Sequence, residues 1–317
     1  MSLCVIHTGG TIGMGRTATG FAPQTGVVEA ELARLQTAGV IGTDVRLRVA
    51  EPLIDSANAT LADWNWIMDQ IAEAAVDCTG VIVTHGTDTL AFTAAALGFG
   101  LQGLNIPVVL TGSMLPLTEV GSDGPRNLAE AFAAVETLGP GIWVQFAGAQ
   151  LHGLRVRKSH SSAFDAFKDT ATDVAPLRVA PTLRVQPYEP SFAVLVVAVA
   201  PGMATDLVTL AAERADGIVL RCYGSGTVPE SAVLRAALCR ARDRGVPVLA
   251  VSQCAEGGIS LGTYAAGAML AETGAIDGRD MTVEAAYTKL LHALSATRDP
   301  DDRRQLLQTR LGGEWSE

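Results

Sequence analysis

The feature that most constrains this chain is a short apolar strand that ends in a run of polar side chains. Val81 to Val83 are consecutive β-branched residues, which is typical of a buried strand. They are followed by Thr84 to Thr89 (Thr-His-Gly-Thr-Asp-Thr) and then by an alanine-rich helical pattern from Leu90 to Leu97. Open α/β sheets bind their ligands where strands end and helices begin. This stretch therefore predicts a parallel sheet with a binding site at the turn.

A second turn of the same kind opens the chain. Leu3 to Ile6 predicts a strand, and His7 to Gly13 (His-Thr-Gly-Gly-Thr-Ile-Gly) follows it. Two adjacent glycines permit positive φ and a close approach of the backbone to a ligand. Either turn alone is weak evidence, since Thr87 or Asp88 would also serve as an ordinary helix cap. Together the two turns favour a site with two threonine hydroxyls.

Composition and charge narrow the function. The 317 residues are 48% hydrophobic and 18% charged, which fits a folded α/β protein of two domains. The net charge of −10 includes no basic block, so we expect neither nucleic-acid nor membrane binding. No signal-peptide pattern or apolar run of spanning length is present, which predicts a cytoplasmic protein. The five cysteines lack CxxC spacing, which indicates free thiols and no metal site.

Helical patterns alternate with short β-branched runs along the chain. This alternation predicts the α/β class, with two three-layer α/β/α domains built on parallel sheets. We expect a larger N-terminal catalytic domain over residues 1–182, a proline-containing linker over 183–192, and a smaller C-terminal domain over 193–317. Residues 13–26 are rich in glycine and threonine without apolar periodicity, which predicts a loop able to act as a mobile lid.

Lysine is scarce in this chain, where arginine is abundant. It occurs only at Lys158, Lys168 and Lys289. A lysine retained in such a chain hints that arginine cannot replace it, since an amine can lose its proton and a guanidinium cannot. Lys158 ends an extended segment, so the alternative is a solvated strand end.

Several of these motifs together resemble the bacterial-type asparaginase/glutaminase family. The similarity runs from Cys4 to about Leu311, with the two threonine signatures in the expected order. Asp280 to Ala285 (Asp-Met-Thr-Val-Glu-Ala) is most similar to the cytoplasmic, type I branch. The segments that carry the resemblance are Thr8–Gly13, Thr84–Thr89, Thr111–Ser113, Ser122–Gly124 and Lys158.

The resemblance implies a larger N-terminal and a smaller C-terminal domain, assembled as homodimers or homotetramers with active sites at the dimer interface. It implies hydrolysis of a side-chain amide through an acyl-enzyme ester, without metal or cofactor. By position, Thr11 matches the first-signature nucleophile. Thr87 matches the second catalytic threonine, with Asp88 and Lys158 as its partners. The chemistry that the resemblance implies gives His85 no proton role, so we expect a packed structural histidine rather than a base.

The same correspondence assigns the substrate contacts. Asp55 and Ser56 match the residues that bind and orient the substrate's α-carboxylate, while Thr87 and Asp88 also face the substrate, Asp88 at its α-amino group. Backbone N–H groups at Gly10, Thr11 and Thr87 are candidates for the oxyanion, because glycine-containing turns present such donors.

The chain departs from the family pattern at Phe21, where relatives usually carry a tyrosine. Phenylalanine can neither donate a hydrogen bond nor relay a proton. We expect an L-asparaginase that produces L-aspartate and ammonia. The alternatives are glutaminase or mixed activity, an amidotransferase subunit, and a non-catalytic amino-acid sensor. Amidotransferase subunits typically have an extra N-terminal domain, which a start near Cys4 does not accommodate.

Overall fold

The computed structural model describes residues 2–42, 44–170, 175–261 and 265–316. The chain divides into two compact units, Met1–Val185 and Gln186–Glu317. The predicted linker, residues 183–192, spans this division. Each unit is described separately below.

The first unit is built on a mainly parallel sheet. Its elements in chain order are β1 (Leu3–Gly9), β2 (Met14–Thr17), β3 (Gly20–Pro23), α1 (Val27–Thr37), β4 (Val45–Ile54), α2 (Leu61–Ala74), β5 (Gly80–Thr84), α3 (Leu90–Gly100), β6 (Leu101–Gln102), β7 (Pro107–Thr111), α4 (Gly124–Thr137), β8 (Gly141–Phe146), β9 (Ala149–His152), β10 (Val156–Lys158), β11 (Phe167–Asp169) and β12 (Arg184–Val185). In the described residues the main sheet has the order β4-β1-β5-β7-β8-β9, and its strands are parallel except for β9 against β8.

The central strands of this sheet are buried on both faces. Every residue of β1, β5 and β7 is buried, as their continuous apolar runs predict. Leu3, Val5, Ile82 and Val109 pack with α1 and α4 in one apolar cluster. The intervening residues point the other way, because side chains alternate along a strand. There α2 contacts β1 and β5, so helices cover both faces of the sheet.

The glycine-rich segment 13–26 differs from its prediction. It forms an antiparallel hairpin, β2 paired with β3, rather than a loop without regular structure. The hydroxyl of Thr17 donates to the Gly20 carbonyl at 2.7 Å and closes the hairpin end. Across the pair, the Arg16 guanidinium lies 5.1 Å from the centre of the Phe21 ring. These contacts join residues that are paired across the hairpin, and such contacts leave no apolar periodicity in the sequence.

The second unit is a smaller parallel α/β layer structure. Its elements are β13 (Val194–Ala198), α5 (Asp206–Arg214), β14 (Gly217–Cys222), α6 (Ala232–Asp243), β15 (Val248–Ser252), α7 (Ala265–Glu272), β16 (Ile276–Asp277), α8 (Val283–Ala296) and α9 (Pro300–Gln308). In the described part of the unit, the sheet has the order β13-β14-β15-β16 and all its pairings are parallel. Helices α5, α6 and α7 share the apolar cluster of one sheet face, and α8 contacts the strands separately. The predicted α/β fold class is confirmed.

A buried ion pair anchors the end of the second unit. The Lys289 ammonium on α8 donates to Glu314 at 2.6 Å, and both side chains are completely buried. Glu314 also accepts the N–H groups of Leu311 and Gly312 at 3.0 and 2.8 Å. The Lys289 ammonium lies 3.7 Å from the centre of the Trp315 ring. The last described residues are thus fixed against α8 by charge as well as by packing.

Candidate functional site

The order of the strands places a crevice between β1 and β5. After β1 the chain moves to β4 on one side, and it then crosses to β5, β7 and β8 on the other. The two connections leaving this point run in opposite directions, which is the topological switch point where open α/β sheets bind ligands. The turns carrying Thr11 and Thr87 follow β1 and β5 at this edge. The fold therefore brings the two predicted threonine loops side by side.

Three glycines let these loops touch through their backbones. A Cβ atom added to Gly10, where φ is +82°, would lie 2.3 Å from Cα of Gly86. A Cβ atom on Gly86 would lie 2.4 Å from the hydroxyl of Ser56, and one on Gly9 would lie 2.3 Å from the Ile54 carbonyl oxygen. No side chain fits at such distances. The glycines of both signatures are therefore required because three loops converge at this point.

Lys158 joins the two polar residues at the end of the second loop. Its ammonium donates to the hydroxyl of Thr87 at 2.9 Å and to the carboxylate of Asp88 at 2.7 Å. The β10–β11 hairpin holds Lys158 in register with Phe167, which is buried. Thr87 is also buried, whereas the Asp88 side chain is 63% exposed. The result is a buried hydroxyl and a largely buried amine beside an exposed carboxylate.

Asp55 and Ser56 lie in the 3-10 turn that follows β4. The Asp55 carboxylate accepts the Ala57 N–H at 3.3 Å, and the side chain of Ser56 is buried against Gly86. The Thr89 hydroxyl donates to the Ser56 carbonyl at 2.8 Å and ties this turn to the Thr87 loop. Asp55 also lines an open groove at this end of the sheet, together with residues of β3, β4 and α2.

Thr11 begins the 3-10 turn Thr11–Gly13 and is partly exposed. The N–H of Gly10, one of the predicted oxyanion donors, donates instead to the Ile54 carbonyl at 3.0 Å. The role of Gly10 in this structure is to bring the backbones together. The Thr11 N–H is at the start of the 3-10 turn, where the first N–H groups have no partner within the turn. The oxyanion role of the Thr11 and Thr87 N–H groups stays a prediction.

The hairpin beside Thr11 carries Phe21 on a largely exposed surface. The Phe21 side chain is 43% exposed and is contacted by Arg16, which forms a two-bond ion pair with Glu119. The Thr118 hydroxyl also donates to the Met14 carbonyl at 3.2 Å. The hairpin is thus attached to the loop that follows β7.

That loop depends on two residues outside the predicted site. Asp123 accepts the N–H groups of Met114 and Leu115, each at 3.0 Å. Asn127 donates to the Gly112 carbonyl at 2.9 Å and to Asp123 at 3.0 Å. Asp123 belongs to the family segment Ser122–Gly124, in which the sequence suggests no role for it. The structure gives it one, as the anion around which the loop folds.

His85 is a packed side chain, as predicted. Its ring lies within hydrogen-bond distance of the Thr93 hydroxyl, at 3.0 Å, and the Trp64 indole donates to the same hydroxyl. Complete burial lowers the pKa of His85, so the ring stays neutral near pH 7. Both ring nitrogens lie within hydrogen-bond distance of protein groups. His85 therefore stabilises the loop that carries Thr87 by packing and by hydrogen bonds.

The described part of the chain contains neither a metal-ligand cluster nor a membrane-spanning helix. Within residues 2–42, 44–170, 175–261 and 265–316, no group of three or more histidine, cysteine, aspartate or glutamate side chains is arranged to hold a metal ion. In those same ranges no helix has the length and apolar character needed to cross a bilayer.

The site combines a hydroxyl, an amine and a carboxylate at the switch point of a parallel sheet. This combination is typical of hydrolases that use an activated hydroxyl nucleophile. The comparisons with known proteins narrow this class. Residues 2–187 match the family model for the asparaginase N-terminal domain, and residues 193–307 match the one for the glutaminase/asparaginase C-terminal domain. The chain belongs to the asparaginase family.

The chain is similar to members of this family over their full length. It is 35% identical to L-asparaginase 1 of Escherichia coli K12, covering 99% of this chain and 97% of that protein. Among solved structures it is similar to the thermostable L-asparaginase from Thermococcus kodakarensis (34% identity, TM-score 0.86, 100% of both chains). It is also similar to L-asparaginase I from Vibrio cholerae (29% identity, TM-score 0.89, 100% of this chain and 99% of that one).

A relative with a different name also matches. The chain is 33% identical to a component of the glutamyl-tRNA(Gln) amidotransferase of Methanopyrus kandleri, covering 99% of this chain and 74% of that protein. The predicted resemblance to the asparaginase family is confirmed by the family models and by these relatives.

Proposed function

We propose that the protein hydrolyses the side-chain amide of L-asparagine to L-aspartate and ammonia. The observation that carries the proposal is the Lys158 ammonium, which bonds both Thr87 and Asp88 next to the backbone contact between the two threonine turns. The names of full-length relatives support asparagine as the substrate. Glutaminase activity is the less favoured alternative within the same family.

The reaction proceeds through two half-reactions. The hydroxyl of Thr11 attacks the amide carbon, an ester forms, and ammonia leaves with the proton delivered to its nitrogen. A water molecule then attacks the ester, and L-aspartate is released as Thr11 regains its proton. Backbone N–H groups of Thr11 and Thr87 stabilise the oxyanion in each half, an effect worth about 2.7–4 kcal/mol per donor in a measured case.

The group around Lys158 handles protons. A lysine accepts a proton only as the neutral amine, and a neighbouring carboxylate favours the ammonium. The substrate's α-ammonium pairs with the exposed carboxylate of Asp88 and shares its negative charge. Asp88 then stabilises the ammonium form of Lys158 less, and Lys158 can pass its proton on through Thr87. Thr87 lies 2.9 Å from the amine and connects it to the bound substrate.

The turn after β4 receives the other end of the substrate. Ser56 presents a hydroxyl toward Gly86 at the meeting point of the loops, where it donates to the α-carboxylate. Asp55 shapes the turn through the Ala57 N–H and orients the substrate. No metal or cofactor takes part in this scheme. We further propose a homodimer or homotetramer, a cytoplasmic location, and a catalytic N-terminal domain over residues 1–182 followed by the linker and the C-terminal domain.

Replacing either threonine by alanine tests the proposal. We expect Thr11→Ala and Thr87→Ala each to remove nearly all ammonia release, because one variant lacks the nucleophile and the other breaks the link to Lys158. Thr37→Ala is the matched control, since that exposed hydroxyl only donates to a carbonyl within α1. A Thr11 or Thr87 variant that keeps most of the turnover excludes that threonine from the chemistry.

Phe21→Tyr tests whether a missing hydroxyl limits the rate. If a tyrosine in the hairpin assists Thr11, the variant should have a higher kcat for L-asparagine, with unchanged thermal stability because the site is already exposed. Steady-state ammonia assays on both proteins decide the question. An unchanged or lower kcat would show that Thr11 is activated without help from this position.

A further inference from the structure

His7 is a polar side chain placed inside an apolar cluster. It lies on the same face of β1 as Leu3 and Val5, which pack with Ile12 and Val28, and its side chain is completely buried. Burying an imidazole among apolar groups is unfavourable unless its nitrogens are bonded. Its neighbours therefore indicate what the ring does.

One ring nitrogen joins β1 to β5. His7 and Thr84 are partners in register on adjacent strands, and Nδ1 of His7 lies 2.7 Å from the hydroxyl of Thr84. Thr84 is the last residue of β5 and opens the loop that carries Thr87. The ring thus contacts the strand end that leads into one of the two threonine loops.

The edge of the same ring supports the other threonine loop. A Cβ atom on Gly13 would lie 2.8 Å from Cε1 of His7 and 2.9 Å from Nε2, so the ring packs directly on the backbone of that glycine. Gly13 is the last residue of the 3-10 turn that begins at Thr11. Since only glycine fits against this ring, the position of the ring limits where the Thr11 turn can lie.

The second ring nitrogen is buried without a hydrogen bond in the part of the chain that the structure describes. Within the described residues, Nε2 of His7 and Oε2 of Glu29 are buried atoms without a hydrogen-bond partner. Burial lowers the pKa of His7 to about 4, while the Glu29 charge opposes the shift. The ring is therefore neutral at pH 7. When Thr84 donates to Nδ1, the one proton of the neutral ring is on Nε2.

We propose that His7 is a positioning residue for amide hydrolysis, which ties the turn bearing Thr11 to the strand end leading to Thr87. This inference rests on the proposed function. His7 acts through Gly13 and Thr84 and has no part in proton transfer to the substrate.

Two replacements of His7 test this role, one that removes its polar contacts and one that keeps a polar group near Thr84. His7→Phe keeps the volume of the ring and loses both polar contacts. We expect kcat to fall by about 10²-fold, the usual effect of a displacement near 1 Å, with little change in KM. His7→Asn places an amide near the position of Nδ1 and should recover most of the loss. Val135→Ala is the control, since Val135 belongs to the same cluster but packs against Gly80, the first residue of β5, at the end of that strand away from the Thr87 loop.

A spectroscopic measurement complements the kinetics. The imidazole ¹⁵N spectrum of the wild-type protein should show the Nε2–H tautomer of His7 at pH 7. Glu29→Gln should move His7 protonation to lower pH, because it removes the charge that favours the imidazolium.

The inference is wrong if His7→Phe keeps the wild-type kcat, if Val135→Ala lowers kcat as much, or if His7 is an Nδ1–H tautomer. Wild-type protein that releases no ammonia would instead contradict the proposed function.

Discussion

We expect Lys158→Met to lower kcat for L-asparagine by about 10³-fold, within the usual range for loss of a positioned acid–base group. Methionine keeps much of the length of the side chain and removes the amine that bonds Thr87 and Asp88. Lys158→Arg should be nearly as inactive, because a guanidinium cannot give up its proton in a protein. Ammonia release at saturating substrate measures the loss.

Lys168→Met is the matched control for this prediction. Lys168 lies on the other strand of the same hairpin, in register with Arg157, and its side chain is exposed. It should keep the wild-type kcat and melting temperature. If Lys158→Met is as active as Lys168→Met, the amine has no part in the reaction. If both lose activity, the hairpin rather than the amine is responsible.

The largest effect on stability is expected at the buried pair in the second unit. Lys289→Met should lower the free energy of unfolding by about 3–5 kcal/mol, because it leaves the Glu314 carboxylate buried without its counter-charge. Chemical denaturation followed by circular dichroism measures the change. Lys168→Met again serves as the control, since that lysine is exposed. A loss no larger than the control's would mean that the pair contributes little.

A double replacement separates the ion pair from simple packing. Gln at position 314 keeps an oxygen for the N–H groups of Leu311 and Gly312 and carries no charge. Lys289→Met combined with Glu314→Gln should therefore recover most of the stability lost in the single variant. If the double variant is less stable than Lys289→Met alone, the charge on Glu314 is not the source of the loss.

The Lys289–Glu314 pair also predicts how the free energy of unfolding depends on pH. Its Lys289 partner and the backbone N–H bonds lower the pKa of Glu314 below the ordinary value of 4.5, although burial opposes this. A carboxyl group with a lowered folded-state pKa stabilises the protein fully above its unfolded value. Its contribution is lost as pH falls below 4.5 toward the folded pKa. The wild type should lose more stability in that range than the double variant does.

Local sequence predicted the framework of the site well. The apolar runs of β1 and β5 and the polar residues after them placed Thr11 and Thr87 at neighbouring strand ends, because parallel strands share one carboxyl edge. The scarcity of lysine is a hint that applies equally to Lys158, Lys168 and Lys289, and Lys158 is the one that bonds Thr87 and Asp88. These predictions depended on short-range patterns, and such patterns determine strands and turns directly.

The remaining features depend on contacts between distant segments. The backbone contact between Gly10 and Gly86 can be recognised only when the distance between the two loops is known. The Gly10 N–H donates to the Ile54 carbonyl and is therefore not free to act as the predicted oxyanion donor. Lys289 finds its partner 25 positions away at Glu314, for which the local sequence contains no signal. His7 did leave a trace, as a polar residue where a buried apolar side chain is expected.

Ammonia release from the purified wild-type protein, measured with L-asparagine and L-glutamine in parallel, tests the proposed activity itself. We expect rapid release from L-asparagine and far slower release from L-glutamine. No release from either amide, with L-aspartate still binding to the protein, would contradict it and would indicate an amino-acid sensor with the same pocket.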